Sequence, residues 1–306
     1  MQTFKAGLLF RNTFTFIRNN KSLSVGGFIL FMIVFSAVFA DFITPYGYAE
    51  RNDDCEGYIT CKRAPPSSKH IFGTDLLGRD MFTRVIFGGR IALMMAFTAT
   101  IFAVMLGVPL GIVSGYIGGR FDRFFTAFAD IVYSFPALLL AIMLAIYFRA
   151  FGLFEDIGPV VVSTAVVYIP TYFRVVRSQV QQVKEQEYID AAKSIGASKP
   201  TILMRYIVPN VLASSIAIIP FNMTDAILTN AALAFLGLGI VPPTPDWGYA
   251  VYEAKPLVIV TGYPWLMVFP ALMIFLLAFS LSLIGDALND KFNPIIQAYV
   301  LAEKGA

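Results

Sequence analysis

Six long apolar runs constrain this chain more than any other feature: Val25–Ile43, Ile91–Tyr116, Thr126–Phe148, Ile157–Val176, Pro209–Leu236 and Trp265–Ile284. Crossing the hydrocarbon core of a bilayer as helix takes about 20 residues, and each run is of that order. Inside lipid the backbone must satisfy its own hydrogen bonds, which leaves helices or closed barrels. A barrel strand alternates polar and apolar residues. These runs are continuously apolar, so helices are expected. Composition agrees: 57% of the 306 residues are hydrophobic and 14% charged, against about a quarter charged in a soluble domain. The expected fold class is an all-α membrane protein of about six transmembrane helices.

The runs divide the chain into an N-terminal segment (1–24), a first transmembrane anchor (25–43), a polar loop (44–89), a core (90–288) and a tail (289–306). Val38-Phe39-Ala40 is similar to a signal-peptidase site, but the long, partly apolar leader before it favours a retained anchor. Lys and Arg near the span ends concentrate on one side: Lys5, Arg11, Arg18 and Lys21, then Arg120 and Arg123, then Arg174 to Arg205, then Lys291 and Lys304. The positive-inside bias therefore puts both termini in the cytoplasm. The net charge of +3 needs no nucleic acid to explain it.

Loop 44–89 would lie outside. It carries the two cysteines, Cys55 and Cys61, where an oxidising compartment favours a disulfide; the spacing permits a small closed loop without deciding it. His70 is the single histidine, so a metal site is not expected. Phe72–Arg90 combines glycines with paired charges, and an amphipathic segment lying at the outer interface is the preferred reading. A contact with another protein is the alternative.

Gln179–Pro209 is neither apolar enough to span nor polar enough to be disordered. Glu185–Ile195 reads as a short helix with Tyr188, Ala191, Ala192 and Ile195 on one face. Gly196 can end it in the left-handed conformation. Ser198 can cap a following helix with Pro200 in its first turn. The expected product is a helix–turn–helix protruding from the membrane, suited to docking in a groove on a partner. Acidic Glu185, Glu187 and Asp190 argue against a DNA reader. Gly237-Leu238-Gly239 lacks the third glycine of a dinucleotide fingerprint, and no P-loop ending occurs anywhere. The chain is therefore not expected to hydrolyse ATP or to hold a cofactor of its own.

Asn222, Asp225 and Thr229 share one helical face of the fifth run by their spacing. An ionisable group in a span faces a cavity or a partner; Asp225 on a solute path and Asp225 in a helix-packing hydrogen bond both stand. Pro136, Pro170 and Pro220 fall in or near spans, where they can kink a helix or simply be tolerated. An ion-coupled transporter would show several buried acids or inverted repeats, and neither is clear. An intramembrane enzyme would need a catalytic constellation, for which Asp130 and Asp225 are the obvious candidates and insufficient.

Asp190-Ala191-Ala192, Gly196 and Val208-Pro209 resemble the "EAA" loop of permease subunits in bacterial ATP-binding-cassette importers, with Asp190 for the usual Glu and Val208 for the usual Leu. Phe72–Asp80, Gly115–Gly119, Phe235–Gly239, Asp246-Trp247-Gly248, Pro264-Trp265 and Ile284-Gly285-Asp286 are similar to the dipeptide/oligopeptide branch, C-type subunit. The resemblance implies the type I importer permease fold in the bacterial inner membrane. It implies that Glu185, Glu187, Tyr188, Asp190, Ala191, Ala192, Ile195 and Gly196 form a coupling helix against an ATPase. It further implies a homologous B-type permease as heterodimer partner, two ATP-binding subunits that bind ATP and magnesium, and an extracytoplasmic solute-binding protein. The cargo would be peptides, or another small solute such as a metal chelate. Family members often carry an acid at the position of Asn230, which leaves the identity of a substrate carboxylate open.

Overall fold

A computed structural model describes residues 20–51, 61–240 and 242–292. Among them the chain forms α1 (Lys21–Val38), α2 (Ala40–Ile43), α3 (Met81–Ile117), α4 (Gly119–Ser134), α5 (Ala137–Ala150), α6 (Gly158–Lys184) and α7 (Glu187–Ser194). Then come α8 (Lys199–Ile202), α9 (Val208–Leu233), α10 (Trp247–Thr261) and α11 (Trp265–Phe292). Single π-turns, Leu203–Ile207 and Ala234–Leu238, flank α9. Among the described residues, five helices are long and apolar enough to cross a membrane: α1, α3, α6, the stretch Ser215–Leu238 and α11.

The expected third span, Thr126–Phe148, is not one helix. It breaks into α4 and α5, which meet at 94°. Phe135 is extended, at φ −89° and ψ 138°, because the ring of Pro136 excludes the helical region for the residue before it. Counted as one span, this bent pair brings the total among the described residues to six. α4 itself starts from Gly118 and Gly119, both with positive φ, a reversal glycine makes without penalty.

The closest packing is α3 against α6. Gly107, Gly111 and Gly115 repeat every four residues and lay a bare stripe along α3. A Cβ on Gly111 would sit 2.7 Å from the Phe173 carbonyl oxygen, and one on Gly107 2.7 Å from that of Ile169. Small residues at this spacing let membrane helices approach backbone to backbone. α9 packs on α3, α6 and α11, and α1 lies on α11, with Gly26 of α1 seated against the Ser280 carbonyl. Arg90 ties α1 to α3: its guanidinium donates to the carbonyls of Ala37 (3.0 Å) and Val38 (3.2 Å) and to Asp41 (2.9 Å), satisfying the orphan acceptors of a helix end.

Met81–Arg90, expected within an interfacial segment, is instead the first part of α3, a helix of about 55 Å at 1.5 Å per residue. The preceding turn, Phe72–Asp80, caps it. Asp80 accepts from the Thr83 amide (2.7 Å) and hydroxyl (2.8 Å), and its other oxygen accepts from His70 Nδ1 (2.8 Å). Asp75 accepts from the amides of Leu77 and Arg79 and pairs with Arg79 (2.6 Å) and Arg84 (3.3 Å). Arg84 also donates to the Tyr48 and Pro243 carbonyls. The charges in this motif are a buried, self-paired cap. Asp80→Ala should therefore lower stability by about 2–4 kcal/mol, since it removes a helix cap and strands a buried imidazole N–H. Thermal unfolding of the purified protein in detergent measures this.

Helix α10 was not expected from the sequence. Asp246 caps it, accepting from the amides of Gly248 (2.8 Å) and Tyr249 (3.4 Å) and from Ile240 (3.4 Å). Burial pushes the Asp246 carboxyl above the usual carboxylate range, against the pull of those amides. Trp247 donates Nε1 to the Val85 carbonyl at 2.8 Å and lies on Gly88 and Gly89, where a Cβ would meet its ring at 2.6 and 3.2 Å. Cys61 is buried and disulfide-bonded; Cys55, the other member of the expected pair, lies outside the described residues.

Candidate functional site

The segment after α6 forms the expected two short helices, and their local chemistry is legible. Gly196 has φ +85°. Its amide donates to Lys193 O (3.0 Å), and that of Ala197 donates to Ala192 O (3.0 Å). This pair of bonds is the Schellman end of α7, and it needs a left-handed residue at Gly196. Pro200 occupies the first turn of α8. Ser198 precedes α8, but its hydroxyl bonds the Thr201 hydroxyl (2.8 Å) rather than a backbone amide.

The expected single face of α7 is divided. Ala192 turns inward together with Ile189, and both are buried. Tyr188, Ala191 and Ile195 turn outward beside Glu187 and Asp190. Ile189 was missed because apolar residues at 188, 189, 191, 192 and 195 girdle most of a two-turn helix. It packs with Ile202, Ile207, Val180 and Val211 in a core that reaches Val108 and Ile112 of α3. Ile195 is 83% exposed, an apolar side chain that nothing among the described residues covers. Glu185 ends α6 and is exposed. Asp190 pairs with Lys193 at 2.8 Å within the helix.

α7 is fastened to the spans from two sides. Lys184 donates to the Tyr116 carbonyl (3.0 Å), and the Tyr116 hydroxyl donates to the Lys199 carbonyl (3.0 Å). Asp122 of α4 accepts from Ser114 of α3 (2.6 Å) and receives both forks of Arg177 of α6, Nη2 at 2.6 Å. Bidentate guanidinium–carboxylate pairs fix geometry as well as charge. The base of the bent pair α4–α5 is thereby latched to the helix that leads into α7.

Of the three candidate path residues, the structure leaves one exposed. Asn222 is buried. Thr229 shares a hydrogen bond with the Tyr168 hydroxyl at 2.8 Å. Asp225 is exposed and has no hydrogen-bond or ion-pair partner among the described residues. Asn230 is buried and accepts from Thr164 (2.8 Å). Sequence reasoning named Asp130 and Arg174 separately but did not bring them together with Tyr133 and Thr171. Tyr133 and Thr171 share a hydrogen bond at 2.7 Å, Arg174 pairs with Asp130, and the Arg174 guanidinium carbon lies 3.9 Å from the centre of the Tyr133 ring. The only available signal was four polar residues scattered over two apolar runs.

At the other end of α9, Gly237 has φ +81°, and Arg149 of α5 donates to the carbonyls of Leu238 (3.2 Å) and Gly239 (2.9 Å). The Phe235–Gly239 motif is therefore a turn that joins α9 to the bent pair. The positive φ of Gly237 is what this turn requires of a glycine.

This geometry has known counterparts. The family described as "Binding-protein-dependent transport system inner membrane component" matches residues 107–294, and "N-terminal TM domain of oligopeptide transport permease C" matches residues 9–66. The chain is 37% identical over 284 residues to the glutathione transport system permease protein GsiD of Escherichia coli O6:K15:H31 (strain 536), covering 92% of this chain and 89% of that one. It is 38% identical over 288 residues to GsiD of Shigella flexneri serotype 5b, again covering 92% and 89%. In fold it is similar to the MetNI methionine ABC transporter in inward facing conformations, with a TM-score of 0.54 at 18% identity, over 68% of this chain and 97% of that chain. From the family match over residues 107–294 and the relatives above one-third identity along nearly the whole chain, the protein belongs to the inner membrane components of binding-protein-dependent transport systems.

Proposed function

We propose that this chain is the C-type member of two dissimilar permease subunits in an importer of short peptides, with both termini in the cytoplasm. An extracytoplasmic binding protein delivers the solute to a channel between this chain and its B-type partner. Two ATPase subunits bind ATP and magnesium and receive the outward face of α7. The observation that carries this reading is the two-sidedness of α7: Ile189 and Ala192 anchor it, while Tyr188 and Ile195 are left uncovered. The peptide cargo is supported by relatives named for glutathione transport and by the oligopeptide permease match at the N-terminus.

Nucleotide energy reaches the channel through differential affinity of the ATPases for two arrangements of the spans. The Asp122–Arg177 latch is the mechanical link from α7 to the bent pair. Asp122→Asn keeps the shape and removes the charge, so peptide uptake should fall about tenfold while ATP hydrolysis continues; the ratio of peptide moved to ATP consumed is the readout. The cargo is tested with inverted-topology controls in vesicles that hold ATP inside and binding protein outside. Labelled di- or tripeptide should accumulate, and a binding protein that takes only sugars, phosphate or a metal chelate overturns the peptide reading.

A further inference from the structure

The exposed surfaces of the spans are of two kinds. α1 and α11 expose Phe28, Phe31, Phe35, Val268, Leu272, Phe275 and Phe279, all apolar, as a lipid-facing surface must be. The surface shared by α4, α6 and α9 differs. There two polar groups stand on neighbouring helices, Asp130–Arg174–Tyr133–Thr171 and Tyr168–Thr229, and Tyr168 is within electrostatic reach of both Tyr133 and Asp225, which is unpartnered among the described residues. Charges in a span sit against water or a partner rather than lipid. The Asp130 and Arg174 side chains are 59% and 42% exposed, so this chain does not itself bury them.

We propose that Asp225 and Arg174 are the two poles of a binding site for short zwitterionic peptides on the channel wall, which rests on the channel reading above. The Asp225 carboxylate takes the free α-ammonium of the peptide. The Arg174 guanidinium, a planar fork suited to carboxylates, takes the α-carboxylate, with Asp130 as the resident counter-ion it leaves. Tyr133 holds the guanidinium flat by cation–π contact in either state.

Spacing fits this chemistry. α6 and α9 run in opposite directions and meet at the Tyr168–Thr229 bond. From that level Arg174 lies about 9 Å and Asp225 about 6 Å towards the α7 end, at 1.5 Å per residue. With helix axes about 8–10 Å apart, the two positions are separated by roughly 10 Å. An extended chain spans about 3.3–3.6 Å per residue, so the site suits two or three residues. Net charge over Asp130, Arg174 and Asp225 is −1, which favours a free amino terminus and repels an anion.

The test uses the complete purified transporter without its binding protein, so that the binding protein's own selectivity does not intervene. Saturation-transfer NMR reads millimolar binding of a dipeptide, its N-acetyl form and its C-amide form. Asp225→Asn should weaken binding of the free peptide tenfold or more and leave the N-acetyl form unchanged. Arg174→Gln should do the same for the free peptide against the C-amide. Asp225→Glu and Arg174→Lys should retain most of the discrimination. Equal losses for capped and free peptides, or no change in either, overturn the proposal and assign these residues to subunit packing. Vesicle uptake by the unsubstituted transporter separates the cases: if no peptide is imported, the peptide reading itself fails and the site falls with it.

Discussion

Ile195→Asp should abolish peptide uptake while leaving the protein inserted, folded and present at normal amounts. Exposed substitutions away from structural features usually change stability by about 0.5 kcal/mol or less, and Ile195 is 83% exposed. Its docking role predicts a far larger effect on association. Burying an isoleucine side chain contributes about 1.5–3 kcal/mol, and an unpaired carboxylate in the same pocket reverses that sign. A loss of about 2.7 kcal/mol is a hundredfold in affinity, enough to empty the transporter of ATPase at cellular concentrations. Co-purification of ATPase subunits with tagged chain measures this. Ile189→Asp is the contrasting change: it places the charge in the core shared by α3, α6 and α9, and protein levels themselves should fall.

The second large effect is expected at Gly111. A leucine there puts its Cβ 2.7 Å from the Phe173 carbonyl oxygen and 2.9 Å from Val176 Cβ, so α3 and α6 must separate. Backbone cannot rotate away as a flexible side chain could. Overpacking a fitted core costs about 1–3 kcal/mol and occasionally more; a backbone contact in the most extensive helix pair belongs at or above that upper end. Gly111→Leu should therefore remove both the membrane-inserted protein and its transport, with Gly111→Ala intermediate. Gly27→Leu in α1 is the control, because nothing lies within 4 Å of its Cβ position. Membrane-fraction protein levels decide the matter, and normal levels for Gly111→Leu would contradict the packing described.

Much of the architecture was legible because lipid imposes a single strong rule on a sequence: long apolar runs become helices. Five of the six expected runs correspond to helices that can span. The remaining run, Thr126–Phe148, is a bent pair rather than one straight helix, which hydropathy does not register: it is apolar enough, but Phe135 before Pro136 is extended. Gly196 was readable as a helix end because few residues other than glycine accept φ +85°. The inward face of α7 was not, since an eight-residue helix with apolar residues on most sides has no unique core side until its neighbours are placed. The path residues show the same limit. Spacing put Asn222, Asp225 and Thr229 on one side of α9, yet the three-residue step from Asn222 to Asp225 separates a buried amide from an exposed carboxylate. Arg174, Asp130 and Tyr133 come together only across two helices, a juxtaposition no local pattern encodes. The Gly107–Gly111–Gly115 stripe, by contrast, was present in the sequence as a plain four-residue repeat and passed unread.

The most direct measurement places a cysteine at Ile195 in a chain with Cys55 and Cys61 replaced, in right-side-out membranes that contain the whole transporter. A short bifunctional thiol reagent should join Ile195→Cys to a cysteine in the groove of the ATPase subunit, and the yield should change when ATP is trapped. A membrane-impermeant maleimide added from outside should not reach it. Labelling from outside, together with no ATPase cross-link at any nucleotide state, would contradict the assignment of α7 as the part of this permease that the motor grips.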